Sequence, residues 1–198
     1  MKIGPKYKIA RRLGAPVFEK TQTQKFALHL ERRGRGSGKP KTEFGLGLNE
    51  KQKARFTYGL TEKQFSNYVK KAIAKKGNPT QTIFESLENR IDNVVYRLGM
   101  ARTRFAARQL VSHGHVLVNG QKATPSLEVK IGDTVSIRPG SNGKGVFANL
   151  EDRVKEVTFP AWLAFDINTR EGKAVGKPEY KPGDQMFDLN AVIEFYSR

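Results

Sequence analysis

The sequence predicts an α+β protein, and three features carry that expectation. Between Thr61 and Gly114, apolar residues recur at helical spacing behind side chains suited to capping helix starts. At His115 the period drops to two around an Asn-Gly pair, and beyond Ile131 short apolar stretches alternate with turns before one last amphipathic segment. The 198 residues allow one domain or two small ones, and 37% hydrophobic residues supply a modest core.

From Met1 to about Leu48 little periodicity is visible. Within it, Glu31 to Lys41 mixes glycines with Arg32, Arg33, Arg35, Lys39 and Lys41. This stretch is expected to be a loop that orders only when phosphates neutralise it, because it has too little apolar surface to offset the entropy of ordering. A short basic helix carrying Lys51, Lys53 and Arg55 is expected from Asn49, its N-cap, to Tyr58, where Gly59 stops it. The next helix opens with the capping box Thr61-Glu62-Lys63-Gln64 and closes at Gly77. Its stripe of Phe65, Tyr68, Val69, Ala72 and Ile73 faces inward, leaving Lys63, Lys70 and Lys71 on the other side.

A third helix is predicted from Thr82, boxed by Glu85, through Ile83, Leu87, Ile91, Val94, Val95 and Leu98 to Gly99. A fourth, capped by Thr103, carries Phe105, Ala106, Ala107, Leu110 and Val111 to Gly114, with Arg104 and Arg108 one turn apart on one face. His115 to Ala123 reads as a β-hairpin, since a type I′ turn needs positive φ at both central residues and Asn119-Gly120 supplies it. Thr134 to Arg138 reads as a strand, and Pro139 to Gly145 as a loop. Leu163, Phe165 and Ile167 belong to further short strands, and Asp188 caps a final helix through Leu189, Val192, Ile193 and Phe195 that must dock to be stable at its length.

Charge is the strongest functional signal. The formal net charge is +17, distributed as +15 over residues 1–80, +4 over 81–150 and −2 over 151–198. So lopsided a distribution is the footprint of a face that binds a polyanion, with nucleic acid favoured over an anionic membrane because the helices need their apolar faces for the core. No apolar run approaches a membrane span or a signal peptide, so a soluble protein that is not exported is expected. With no cysteine there is neither a disulfide nor a thiolate metal site nor a thiol nucleophile.

The run Leu87-Glu88-Asn89-Arg90-Ile91-Asp92-Asn93-Val94-Val95-Tyr96-Arg97-Leu98-Gly99, with Thr103-Arg104 and Ala107 through Gly120, resembles the RNA-binding module named after small-subunit ribosomal protein four. Gly4-Pro5-Lys6, Glu50-Lys51-Gln52-Lys53, Glu62-Lys63-Gln64-Phe65, Pro160-Ala161-Trp162-Leu163 and Ile193-Glu194-Phe195-Tyr196-Ser197 extend the resemblance to the bacterial family of that ribosomal protein. Two departures stand out: the cysteine cluster that many members carry near the N-terminus is missing, and so is a Pro-Gly-Gln-His-Gly segment, near which Arg33 to Lys41 stands.

For the fold, the resemblance implies a helical N-terminal domain completed by the C-terminal helix, with an inserted domain of helices packed on a small antiparallel sheet. The expected segments are 1–80, basic and helical; 81–150, the module; and 151–198, short strands and the last helix. For function it implies a cytoplasmic, non-enzymatic protein of the small (30S) subunit without cofactor or metal. Such a protein binds a junction of 16S rRNA in the 5′ domain early in assembly, lies where mRNA enters the subunit beside ribosomal proteins three and five, and influences accuracy. The expected RNA-binding residues are Lys6, Lys8, Arg11, Arg12, Arg32, Arg33, Arg35, Lys39, Lys41, Lys51, Lys53, Arg55, Lys63, Lys70, Lys71, Arg104, Arg108, His113 and Lys122, of which His113 equally suits the C-terminal end of its helix.

Other chemistries fail on the residues. Gly38-Lys39 and Gly143-Lys144 lack the upstream glycine and the following hydroxyl of a phosphate loop, having Arg33 and Arg138, then Pro40 and Gly145, in those places. His113 and His115 have no third metal ligand nearby. Arg90-Ile91-Asp92 resembles the catalytic signature of pseudouridine synthases, but it sits inside the module's own first helix, where Asp92 suits a structural ion pair, and no catalytic domain fits in the remaining chain. A free RNA-binding assembly or stress factor built on the same module is the other alternative.

Overall fold

A computed structural model describes residues 3–34, 42–143 and 145–197, with Arg33 and Gly34 described in backbone only. The chain divides into two compact units, residues 1–83 with 180–198, and residues 84–179. The last segment expected from sequence is thus shared, residues 151–179 going to the second unit and 180–198 to the first.

The first unit is helical. Two helices occupy a region expected to be irregular, α1 (Lys6–Leu13) and α2 (Gln24–Gly34). Each carries a local signal: Gly14, at φ 70°, ends α1 behind the buried Ala10 and Leu13, and the Thr23 hydroxyl ahead of α2 accepts from the Phe26 amide at 3.4 Å. Helix α3 (Glu43–Thr57) starts six residues before the expected Asn49, because the Thr42 hydroxyl accepts from the Gly45 amide. Helix α4 (Glu62–Ala74) forms the expected capping box, Gln64 N–H donating to Thr61 Oγ1 at 3.3 Å and Thr61 N–H to Gln64 Oε1 at 3.2 Å. It buries Phe65, Val69 and Ala72, leaves Ile73 42% exposed, and ends three residues before Gly77.

The terminal helix α9 (Leu189–Ser197) docks on α3 and α4, as its length demands. The Asp188 carboxylate caps it by accepting from the Asn190 amide at 2.8 Å, and Phe195 meets Phe44 with ring centroids 5.1 Å apart. The Tyr196 hydroxyl donates to Glu62 at 3.3 Å, and burial, then the Glu62 charge, push this phenol up to about 12. Because the folded state holds the proton more tightly than the unfolded chain, this contribution is complete below pH 10 and is lost as the pH climbs toward 12. A tyrosinate absorbance titration of the folded protein is expected to show one phenol ionising near pH 12 that Tyr196→Phe removes.

The second unit packs helices on an antiparallel sheet. The expected helix from Thr82 to Gly99 is instead two: α5 (Pro79–Glu88) and α6 (Ile91–Arg97). Asn78, not Thr82, caps α5, its Oδ1 accepting from the Thr80 amide at 3.0 Å, while the Thr82 hydroxyl donates to the Asn78 carbonyl. The break at Arg90 comes from a distant segment: Ile91 N–H donates to Leu127 O and Val129 N–H to Asn89 O, each at 2.8 Å, holding Arg90 extended (φ −61°, ψ 133°). Helix α7 (Arg104–Ser112) starts at Thr103 as expected, the Thr103 hydroxyl accepting from Ala106 N–H at 3.1 Å.

The hairpin forms from β1 (Val116–Val118) and β2 (Gln121–Lys122), with φ of 49° at Asn119 and 78° at Gly120. Strand β3 (Thr134–Ile137) follows, then α8 (Leu150–Glu156), which the sequence reading lacked, and the hairpin of β4 (Leu163–Asp166) with β5 (Glu171–Ala174). The strands lie in the order β2-β1-β3-β5-β4, all neighbours antiparallel. Ile91, Val94 and Val95 of α6 with Leu98 at its C-cap, Leu110 and Val111 of α7, Val135 and Ile137 of β3, and Trp162 share one core with Phe147, Leu150 and Val154 from the α8 region. Among the described residues no helix is long and apolar enough to cross a membrane.

Candidate nucleic-acid interface

Amphipathic folding forces cations outward wherever the opposite face is core. On α1, Lys8, Arg11 and Arg12 are exposed opposite Ala10 and Leu13, and they line an open cleft with Gly4, Pro5 and Ile9. Lys6, half-buried, reaches over the Phe18 ring at 5.8 Å. A second cleft joins Arg11 to Lys25, His29 and the rings of Tyr7 and Phe26. Arg32 is exposed on α2, whose last turn takes in residues 31–34 of the loop expected over Glu31 to Lys41; the rest of that loop, with Arg35, Lys39 and Lys41, lies outside the described residues. On α4, Lys63, Lys70 and Lys71 stand exposed opposite the buried Phe65, Val69 and Ala72, and Lys75 and Lys76 prolong that cationic face past the helix end.

The three cations of α3 have anions of their own. Lys51 is buried, ion-paired to Glu62 and 5.3 Å from the Phe195 ring centroid. Lys53 pairs with Glu50 at 2.6 Å. Arg55 donates to Gln52 Oε1 at 2.8 Å, lies 3.4 Å from Glu62 and stacks 4.2 Å over Phe56; burial chiefly lowers its pKa, against the opposing Glu62 charge. Through Glu62, Lys51 and Arg55 knit α3 to α4, while Lys53 is paired within its own helix.

The second unit arranges its arginines around two buried carboxylates. Asp92, at the start of α6, accepts from Arg90 Nε at 3.0 Å and Nη2 at 2.8 Å, and from Arg108 Nε at 2.8 Å and Nη2 at 2.7 Å. The expected structural ion pair of Asp92 is therefore present, and Arg108 is one of its members. Glu88 accepts both Arg97 Nε and Nη2 at 2.9 Å and the Asn93 amide at 3.0 Å, and Asn93 Oδ1 in turn accepts Arg104 Nε at 2.8 Å. Arg104 also lies 4.3 Å over the Tyr96 ring. These contacts fix the guanidinium planes; Arg108 and Arg97 keep 26% and 28% of their side-chain surface in solvent. A rigid fork presented to solvent loses little entropy on meeting a phosphate.

His113 is the C-cap of α7, exposed, with its ring 6.1 Å from that of His115, and among the described residues no three groups gather to hold a metal. Lys122 is exposed on β2 with its stem beside Gly114, where a Cβ would lie 3.4 Å from its Cε. Arg97, Arg102 and Arg153 were not singled out by sequence. Arg97 sits within the quoted module run, one turn from Asn93, and that spacing was the available signal; Arg153 lies on a helix that the sequence reading did not contain.

Residues 1–88 match the family described as the ribosomal protein S4/S9 N-terminal domain, and residues 89–135 match the S4 domain. The chain is 39% identical over 203 residues to the small ribosomal subunit protein uS4 of Delftia acidovorans, covering 99% of this chain and 98% of that one. The chain belongs to the uS4 family. The uS4 protein of Chlorobium limicola is 37% identical over 199 residues, with 96% of each chain covered. That of Syntrophomonas wolfei is 40% identical over 166 residues, covering 83% of this chain and 79% of its own. As a uS4 family member the protein is a structural, non-enzymatic component of the small ribosomal subunit. The enzyme alternative suggested by Arg90-Ile91-Asp92 falls with this, and the geometry agrees, since both Asp92 oxygens are taken up by arginines.

Proposed function

We propose that this protein binds the 5′-domain junction of 16S rRNA early in small-subunit assembly, lies where mRNA enters beside ribosomal proteins three and five, and contributes to translational accuracy. The observation that carries the RNA reading is the exposed lysine face of α4, set by the buried stripe opposite it and held at fixed spacing by a capped helix. Lys6, Lys8, Arg11, Arg12 and Arg32 extend the cationic surface of the first unit, and Arg104, Arg108, His113 and Lys122 supply that of the second. Fixed cations on rigid helices match the phosphate spacing of a folded junction; A-form RNA hides its base edges in a deep major groove, so shape is what such a surface reads.

The test is a filter-binding titration of the full chain with a 16S 5′-domain transcript across salt concentrations. The slope of log affinity against log salt measures released counterions at about 0.7–0.9 per phosphate contact. The triple substitution Lys63→Gln, Lys70→Gln, Lys71→Gln is expected to flatten the slope by roughly two to three units. Its thermal unfolding is expected to stay as in wild type, since all three side chains are solvent-exposed. An unaltered slope would remove α4 from the interface.

A further inference from the structure

The second unit holds a cationic cluster apart from the carboxylates of Asp92 and Glu88. Arg102, in the turn between α6 and α7, is exposed, and Arg153, on α8, is half-buried. Both line an open cleft of about 440 Å³ together with Tyr96, Arg97 and Glu156. Arg153 Nη2 donates to the Val146 carbonyl at 3.1 Å, whereas its Nε is buried with no acceptor among the described residues. Among those residues Arg102 and Arg153 form no salt bridge, even though Glu156 borders the same cleft. Burial first, and then the positive charge of Arg102, lower the pKa of Arg153.

Two guanidinium groups lining one cleft from separate elements form a half-built anion site, since a phosphate entering between them offsets their mutual repulsion. We propose that Arg102 and Arg153 together clasp one backbone phosphodiester of the bound RNA, giving the second unit a contact point contributed by α8. This rests on the reading of the protein as an rRNA binder. A phosphodiester fits better than a carboxylate of a protein partner, because a phosphate group offers acceptors in more directions than the planar carboxylate, and the two guanidiniums approach from different elements.

The experiment compares wild type, Arg102→Gln, Arg153→Gln and the double variant in the same transcript titration. Each single variant is expected to flatten the salt slope by about 0.7–0.9, and the double by no more than either single, since both residues hold one phosphate. Unchanged slopes overturn the proposal, as does a double variant whose loss equals the sum of the two. Arg102 is exposed and makes no hydrogen bond or ion pair within the described residues, so its variant keeps the test decisive even if Arg153→Gln does not fold. Inorganic phosphate at constant ionic strength probes the same cleft. As a competitor for the same two guanidiniums it is expected to weaken wild type more than the double variant, whereas an equal effect on both overturns the assignment. Failure of wild type itself to bind the transcript overturns the rRNA reading and this proposal together, whereas a normal wild-type slope with unchanged variants removes this cleft alone.

Discussion

Asp92→Ala is expected to lower the unfolding free energy by about 3–5 kcal/mol, the usual cost of removing one partner from a buried ion pair. The carboxylate is 4% exposed and the Arg90 side chain 3%, so deleting the acid removes the anion paired with a guanidinium that water cannot reach. Arg90 also donates to the Pro125 carbonyl at 3.3 Å, which does not neutralise its charge. Arg108 loses its bidentate contact with the same carboxylate. Urea unfolding followed by circular dichroism measures the effect, with an unchanged denaturant slope showing that stability and not compactness has altered. A loss under about 1 kcal/mol would mean that the pair contributes no more than a surface salt bridge. The same geometry complicates Arg108 as a probe of RNA binding, because Arg108→Ala removes a phosphate-facing cation and an internal partner at once.

How much of this was legible before the structure depended on whether the cause lay nearby in sequence. Thr61 and Gln64 announce α4 because both halves of a capping box fall within four residues, and Asn119-Gly120 announces the hairpin because the turn is made by those two residues alone. The split between α5 and α6 was illegible for the converse reason. Periodicity runs unbroken from Ile83 to Leu98, and the residues that break it, Leu127 and Val129, arrive from another part of the chain. Helices α1 and α2 were legible by the same rule, from Gly14 at the end of one and Thr23 at the start of the other, and the expectation of an irregular segment passed over both. The same division holds for the site. The sign and location of the charge could be counted, but which cations are occupied could not: Lys51 and Arg55 look like an exposed basic pair one turn apart, and the partner of both is Glu62, in the next helix. The cleft of Arg102 and Arg153 exists only through α8.

The other large effect concerns how closely the sheet approaches α6. Gly172 lies on β5, opposite Val135 of β3 on one side and Phe165 of β4 on the other, and a Cβ built there would fall 2.3 Å from Leu98 Cδ1 and 3.2 Å from its Cγ. Leu98 is fully buried in the core of the second unit, so its side chain has no solvent to swing into. Gly172→Ala is therefore expected to cost about 1–3 kcal/mol or more through overpacking. Leu98→Ala is expected to cost about 2–5 kcal/mol by leaving a cavity. The two changes answer each other, since the methyl added at 172 enters the space vacated at 98. The double variant is then expected to be more stable than the sum of the singles predicts, with a coupling of about 0.5–3 kcal/mol. Additivity within about 0.5 kcal/mol in a urea double-mutant cycle would show that strand and helix do not meet at this point. Because α6 carries Asp92 and Asn93, which hold Arg108 and Arg104 in place, a glycine with no side chain at all helps to set where the arginine face of the second unit stands.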